Sequence, residues 1–482
     1  MSLPVINVSQ MREWEKATWE TGQTEGEVIR RVGKIVAQHA LELTKRDDFI
    51  LILAGKGHNG DDARRACEHL HERRVDVLEV KNPRESLAKL DALLSPCHAE
   101  EQRRRVKPAL IIDGLFGIGI SRALDEHWVK YIERINAAKV RVLAVDVPSG
   151  LNADTGETHG AAIRATTTLT LGAPKIGLLE SKATPFVGRL EVAPEIGLVP
   201  CPLKSELQWT WPPDFEGFPP PRDVATHKGS FGHLAIIAGS FGFHGAAVLA
   251  ARGAQRSRPG LITLFTLDKV YHSIASQLQA VMVSLWNAKF EFPEKIFSAV
   301  LIGPGLAAHD VPHEMSAGLR WLWHNSPLPI IVDASALDWL PLDSGRHNAV
   351  RLITPHPGEA ARLLKSTAQD AQSNRCETLK KLSAQFGDCF VALKGHQTLV
   401  GKTDGAISVN SSGNPRLAQG GSGDLLSGYL AGLLAQPELQ ADPLKTIRFG
   451  VWQHGASADL LDKVRPNWVI EDLAGKLGLA GP

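Results

Sequence analysis

The sequence predicts an α/β protein built from two three-layer α/β/α domains. Three observations predict it. Short, wholly apolar runs alternate with amphipathic stretches, the pattern of parallel strands covered on both faces. A proline-dense stretch, Trp211 to Pro221, breaks that alternation, which restarts beyond it. The length of 482 residues exceeds what one core ordinarily organises. Proline at that density forbids helix and interior strand, so residues 212–222 are expected to be a linker between domains at 1–211 and 223–482. No alignable repeat relates the halves, so two different domains are expected rather than a duplication.

In the first half, residues 10–45 read as helices, with Glu27 to Leu43 the clearer one. Strands are predicted at Phe49 to Ala54, Val75 to Val80, Ala109 to Asp113, Val140 to Asp146, Ala165 to Leu171 and Arg189 to Val192. Helices are predicted between them at Asp61 to Arg74 and around His127 to Ala138. In the second half, strands are predicted at His233 to Ala238, Leu261 to Thr266, Ala299 to Gly303, Ile330 to Asp333, Val350 to Thr354 and Phe390 to Lys394. Leu425 to Ala435 is apolar around nearly its whole circumference, which predicts a buried helix.

Composition narrows the function classes. An apolar fraction of 43% and a charged fraction of 22% belong to an ordinary globular protein. A formal net charge of +1 argues against nucleic-acid or acidic-membrane partners. No segment approaches the roughly 20 apolar residues of a membrane span. Met1 to Glu20 carries Glu13, Glu15 and Glu20 and no apolar core, so no signal peptide is expected. Cys67, Cys97, Cys201, Cys376 and Cys389 are odd in number, widely spaced and without zinc spacing, which suits a reducing cytoplasm.

After the first strand comes Gly55-Lys56-Gly57-His58-Asn59-Gly60-Asp61-Asp62-Ala63. Glycines 55, 57 and 60 match the G-x-G-x-x-G dinucleotide fingerprint between strand and helix, and Glu79 ends the next strand. A dinucleotide-dependent dehydrogenase is therefore one reading. Against it, Asp61 and Asp62 in the turn would repel a pyrophosphate. Two further strands end in acids, Asp113 before Gly114-Leu115-Phe116-Gly117-Ile118-Gly119 and Asp146 before Val147-Pro148-Ser149-Gly150. Ligands of open α/β sheets bind at the C-terminal ends of the strands. Asp62, Asp113 and Asp146 are thus expected to converge with Asn59 and Ser149 around a hard cation, monovalent or magnesium. Each acid alone would read as a turn cap.

The second half places chemistry at strand ends too. Gly239, Gly242 and Gly245 precede a small-residue helix at Ala246 to Ala251, and Gly303-Pro304-Gly305 makes a rigid turn. Asp333-Ala334-Ser335-Ala336-Leu337 follows a strand, and His356 stands between two prolines in Thr354-Pro355-His356-Pro357-Gly358-Glu359. Lys394-Gly395-His396-Gln397-Thr398 ends another strand. Gln419-Gly420-Gly421-Ser422-Gly423-Asp424 opens the apolar helix. Free N–H groups there suit a phosphate, and Asp424 reads as a base beside it. No Walker-type G-x-x-x-x-G-K-[ST] occurs.

Residues 10–200 resemble the NAD(P)H-hydrate epimerase domain, on Gly-Lys-Gly-His-Asn-Gly-Asp-Asp, Asp-Gly-Leu-Phe-Gly-Ile-Gly and Asp-Val-Pro-Ser-Gly-Leu-Asn-Ala-Asp-Thr-Gly. The resemblance implies a Rossmann-like domain with potassium on Asn59, Asp113 and Ser149. It implies substrate contacts from His58, Asn59, Gly60, Asp61 and Asp62, from Gly117, Ile118, Gly119, Ile120, Ser121, Arg122 and Ala123, and from Asp146. The family's usual Asn-Asn-Gly-Gly-Asp-Gly is replaced here at His58, Asp61 and Ala63. Residues 223–475 resemble the ribokinase-like ADP/ATP-dependent NAD(P)H-hydrate dehydratases, through His-Lys-Gly-Ser-Phe-Gly-His, Gly-Pro-Gly, Thr-Pro-His-Pro-Gly-Glu-Ala, Leu-Lys-Gly and Gly-Gly-Ser-Gly-Asp in the family's order. That resemblance implies contact of Ala246, Gly305, His356 and Asp424 with the hydrated dinucleotide. It implies contact of Lys394, Gly395, His396, Gln397, Thr398 and Gly423 with the adenine nucleotide. Ser335 stands where the family often has a second aspartate.

Together the resemblances imply a cytoplasmic repair enzyme, a homo-oligomer acting on small molecules and not on nucleic acid or membrane. The first domain would exchange the R and S epimers of hydrated NADH or NADPH, with Asp146 or Asp62 moving the proton. The second would phosphorylate the C6 hydroxyl of the S form from ADP or ATP, with Asp424 as base and magnesium bridging the phosphates. A ribokinase-like small-molecule kinase carrying a non-catalytic nucleotide-binding module is the competing reading.

Overall fold

The computed structural model describes residues 2–94, 107–120, 122–286, 292–309, 311–342 and 348–481. The chain forms two compact units, Leu3–Ser205 and Glu206–Pro482.

The first unit holds a parallel sheet with strands in the order Arg74–Glu79, Phe49–Ala54, Leu110–Gly114, Arg141–Val145, Thr167–Leu171, Arg189–Ala193. The central strand shows how the layers form. Ile50 and Ile52 face helices Glu25–Glu42 and His58–Ala66, packing with Val32, Val36 and Ala63. Leu51 and Leu53 point the other way, toward Leu90 of helix Pro83–Leu94 and Ile132 of helix Glu126–Ala137. All four are wholly buried, and each contributes about 1.5–3 kcal/mol relative to exposure. Two-faced burial explains why the run reads as continuously apolar.

The second unit's main sheet runs Met282–Leu285, Leu261–Thr266, His233–Ile237, Ala299–Ile302, Ile330–Val332, Arg351–Ile353, Phe390–Leu393, all parallel. Leu399–Gly401 and Ile407–Val409 then add antiparallel strands, and Leu207–Trp209 pairs in parallel with the last. The expected strands are present with ends shifted by a residue or two. Four short ones, at 207–209, 282–285, 399–401 and 407–409, carry too few residues to show a period.

Helix Ser422–Leu434 is the apolar helix expected near the end, buried from Leu425 to Leu434. Leu426 and Leu430 pack with the sheet residues Leu234, Leu301 and Ile331. Leu425, Tyr429 and Leu433 pack with Phe449 and Trp452 of helix Pro443–Val464. Helix His244–Ser257 also lies against it, so closely that a Cβ on Gly428 would sit 1.9 Å from the Ala250 carbonyl oxygen. This close fit holds the helix start, and with it Asp424, in one place.

The expected linker at 212–222 is a correction. Pro212–Phe215 is a 3-10 turn, and Phe215 is wholly buried, its ring centroid 5.4 Å from those of Phe449 and Trp452. Asp214 pairs with Arg448 at 2.5 Å. The prolines do exclude helix and sheet, but the aromatic side chains between them find a core. The units accordingly divide after Ser205, not after residue 211, because Leu207–Trp209 is an edge strand of the second sheet. Among the described residues no disulfide joins the cysteines, and no helix is long and apolar enough to cross a membrane. Cys97 lies outside the described residues.

Phe215→Ala removes a buried aromatic ring, so urea unfolding of the second unit is expected to show a loss of about 3–5 kcal/mol. A solvated linker would show almost none.

Candidate active sites at the strand ends

In the first unit the glycine turn is shorter than expected. The helix starts at His58, with Gly57 as its N-cap, so His58 to Asp62 occupy its first turns instead of a loop. Two glycines are required by close approach. A Cβ on Gly55 would lie 2.0 Å from the Leu115 carbonyl oxygen, and one on Gly60 would lie 2.2 Å from that of Gly55. Two of the three family departures, Asp61 and Ala63, are accommodated by this helix. Asp61 is half-exposed and paired with Arg64, and Ala63 packs where Gly114 has no side chain. Arg64 also grips Glu79, at 2.6 and 2.9 Å, so the acid that ends the next strand is already engaged.

Asn59, Asp113 and Ser149 are brought together around Phe116. Asn59 Nδ2 donates to the Phe116 carbonyl at 2.8 Å, and the Phe116 N–H donates to Ser149 Oγ at 2.9 Å. Ser149 donates to Asp113 through Oγ at 2.6 Å and through its N–H at 2.9 Å. Asp113 is wholly buried, and burial raises its pKa to about 6 against the pull of those hydrogen bonds. Asn59 Oδ1 accepts no hydrogen bond among the described residues. The wider convergence of acids does not occur. Asp62 and Asp146 face a cavity that Asp113 does not line, and no metal-sized group of three acids, histidines or cysteines exists among the described residues.

That cavity holds about 640 Å³. His58, Asn59, Asp62, Gly117, Ile118, Gly119, Ile120, Arg122 and Asp146 line it; Gly60, Asp61 and Ala123 do not. Ser121 lies outside the described residues. Asp146 has a left-handed backbone, φ 65°, at the end of its strand. Two lining or supporting groups escape a reading of the sequence. Glu15 reaches the cavity from helix Val8–Trp19. Lys175 is wholly buried behind it with Nζ 2.6 Å from Asp146 Oδ1. Glu15 looks like helix surface and Lys175 like an ordinary loop cation; only the apolar neighbours of Lys175 hint at burial.

In the second unit the strand ends carry Gly303, Asp333, Thr354 and Lys394, on strands that are neighbours in the sheet. Ser240 Oγ donates to the Gly305 carbonyl at 2.6 Å and accepts from the Ala308 N–H at 3.1 Å, tying the glycine loop to the Gly-Pro-Gly turn. Gly305 has φ 67°, and a Cβ there would strike the Phe243 carbonyl and lie 3.1 Å from Ala246 Cβ. Those two expected residues thus share one wall. His356 caps helix Pro357–Leu363. Its Nδ1 accepts from the Gly358 and Glu359 N–H groups at 3.0 and 3.4 Å, which leaves Nε2 as the donor on a half-exposed ring.

Lys394 Nζ lies 2.8 Å from Asp333 Oδ1 and 3.8 Å from Glu359 Oε2. Thr354 Oγ1 donates to the same Asp333 oxygen at 2.7 Å. Burial opposes the lysine's charge, but Asp333, Glu359 and Asp424 outweigh it and its pKa is raised. Gly423 stands over this ammonium, 3.2 Å from a built Cβ to Nζ. Asp424 follows in the first turn of helix Ser422–Leu434. Burial first, then Asp333 and Glu359, raise its pKa to about 6, while Lys394 pulls it down. Gly395 and Gln397 turn the 394–398 segment through φ 136° and 52°, and Arg375 holds the turn by donating to the Leu393, His396 and Gln397 carbonyls. Asp333, Glu359 and Arg375 complete the expected set. The strand-end position of Asp333 signalled it; the distance of Arg375 in sequence concealed it.

The NAD(P)H-hydrate dehydratase family model matches residues 234–475, and the model for the YjeF-related protein N-terminus matches residues 25–177. A bifunctional NAD(P)H-hydrate repair enzyme of Coxiella burnetii is 32% identical over 464 residues, covering 93% of each chain. One from Escherichia coli is 31% identical, covering 91% of this chain and 86% of its own. A solved ribokinase-like superfamily protein of Enterococcus faecalis, 23% identical, superposes with a TM-score of 0.51 over 57% of this chain and 96% of its own, a likeness of fold. Both halves, each with its own site, run along the length of these relatives, and the chain belongs to the family of bifunctional NAD(P)H-hydrate repair enzymes.

Proposed function

We propose that the second unit converts the S epimer of hydrated NADH or NADPH to the dihydronicotinamide at the expense of ADP or ATP. The first unit exchanges the R and S epimers so that both are consumed. The observation that carries the reading is the Lys394, Asp333 and Glu359 network beside Asp424, at the N-terminus of a buried helix. Helix N–H groups from Ser422 to Asp424 receive the transferring phosphoryl group, and Gly423 leaves room for it over the Lys394 ammonium. Asp424 takes the proton of the C6 hydroxyl, turning a poor leaving group into a phosphate ester. Ring nitrogen N1 then expels phosphate, and loss of a C5 proton restores the ring. Ala246, Gly305 and His356 border the dinucleotide, and the Lys394 to Thr398 turn borders the adenine nucleotide.

No cage of acids is preformed for magnesium among the described residues, which fits an ion carried in on the nucleotide phosphates. Bound there, it neutralises phosphate charge. Potassium fits Asn59, Asp113 and Ser149, where one buried carboxylate has only neutral partners and a side-chain amide oxygen is left unused. Held there, it would compensate the Asp113 charge and steady the 115–120 loop. The competing kinase reading has no use for a first unit with a cavity lined by Asp62 and Asp146.

Mixed epimers of hydrated NADH with ADP or ATP are expected to regain dihydronicotinamide absorbance fully. Recovery that stops at the S fraction and then creeps at the spontaneous exchange rate would mean an idle first unit. Asp424→Ala is expected to lower dehydratase kcat by about 10²–10⁴-fold, and unchanged turnover would remove the base assignment. A base must be ionised, so wild-type kcat is expected to climb with pH up to about 6 and then level. Lys394→Met removes the cation facing Asp333, Glu359 and Asp424. It is expected to move that climb to higher pH and to destabilise the second unit by about 3–5 kcal/mol in urea unfolding.

A further inference from the structure

Two carboxyl groups, Asp62 and Asp146, face the cavity of the first unit, and their surroundings differ. Lys175 Nζ has three protons and three acceptors: Asp146 Oδ1 at 2.6 Å, the Leu171 carbonyl at 2.7 Å and Thr170 Oγ1 at 3.2 Å. Asp146 Oδ1 also accepts from the Leu171 N–H at 3.1 Å and from Thr170 Oγ1 at 3.3 Å. Oδ1 is therefore saturated, and Oδ2 takes no hydrogen bond among the described residues. Asp62 is buried and has neither a hydrogen-bond donor nor a cation beside it among the described residues. Asp61, from the same helix, and Glu15, from helix Val8–Trp19, act on Asp62 together with Asp146, and Glu15 in turn feels Asp146, Lys175, His58 and Glu25; Arg12, Lys56 and Arg122 also line the cavity. Burial, followed by Asp146, Asp61 and Glu15, pushes the Asp62 carboxyl well above the usual range.

We propose that Lys175 is the positioning residue of the first unit, holding Asp146 as the carboxylate so that, of the two acids, Asp62 carries the proton. The inference rests on the epimerase reading and gives the two acids opposite roles. Asp62 delivers its proton to the C6 hydroxyl as the C6–O bond breaks. The N1 lone pair forms the N1=C6 iminium, and water departs. Water then adds to the other face of C6, and its proton passes to Asp146 Oδ2. Return of that proton to Asp62 resets the pair, with no net gain or loss of atoms or electrons. Lys175, fully buried with every proton committed, sets the balance between the carboxyls.

The test is the pH profile of epimer exchange in the full-length protein, with turnover of the S epimer by the other unit as the control for protein amount. Lys175→Met is expected to move the acidic limb upward by about 1–3 pH units, the effect of removing an adjacent opposite charge. An acidic limb that stays in place overturns the proposal while leaving the epimerase reading intact. A wild-type protein that does not accelerate exchange overturns both. Should Lys175→Met fail to fold, Asp62→Asn, which mimics the neutral acid in shape, is expected to keep the fold and to lose about 10²-fold or more in exchange rate. Wild-type exchange in Asp62→Asn overturns the proposal.

Discussion

Each unit places a lysine, withdrawn from water, beside a carboxylate at its strand-end site. An isolated buried charge costs several kcal/mol, so an ammonium placed there must be fully hydrogen-bonded and paired. Lys175 meets this requirement in full with Asp146, Thr170 and Leu171; Lys394, less deeply buried, is hydrogen-bonded to Asp333 and ion-paired with Glu359. Once paired, each lysine decides which neighbouring acid is ionised. Lys394 lowers the Asp424 pKa that burial, Asp333 and Glu359 raise. Asp62 has no such cation, and burial with Asp146, Asp61 and Glu15 pushes its pKa well up.

The sheets make these arrangements possible. Each unit brings strand ends of distant sequence to one edge: Ala54, Gly114 and Val145 in the first, Ile302, Val332, Ile353 and Leu393 in the second. Residues just beyond those ends can then meet, as Ser149 meets Asp113 and Lys394 meets Asp333. Backbone that must pass closely, at Gly55 and Gly60 or at Gly305, excludes even a methyl group. The glycine turns are therefore as much about packing as about phosphate.

The Pro-rich segment shows a limit of composition as a guide. Its prolines rule out helix and interior strand, yet Phe215 and Phe218 anchor it to Phe449 and Trp452. Local backbone rules say what a segment cannot be. They do not say whether its side chains find a core.

Much of the architecture was legible in the sequence, because strands buried on both faces leave apolar runs that no other element needs. Phe49 to Ala54 and Leu261 to Thr266 were legible residue for residue. The acids at strand ends, the glycine turns and the apolar helix behind Asp424 were legible for the same local reason. Lys175, Glu15, Glu359 and Arg375 acquire their roles only through contacts across many residues of chain, and their local sequence resembles ordinary surface. The same holds for the helical start at His58, where packing against Gly55 and Gly114 overrides the appearance of a loop. Sequence alone determined the two sheets and the chemistry available at their edges, since burial pattern and residue type are local. Tertiary structure alone decided which acid meets a cation and which is left with its proton, since a charge's state depends on everything folded around it.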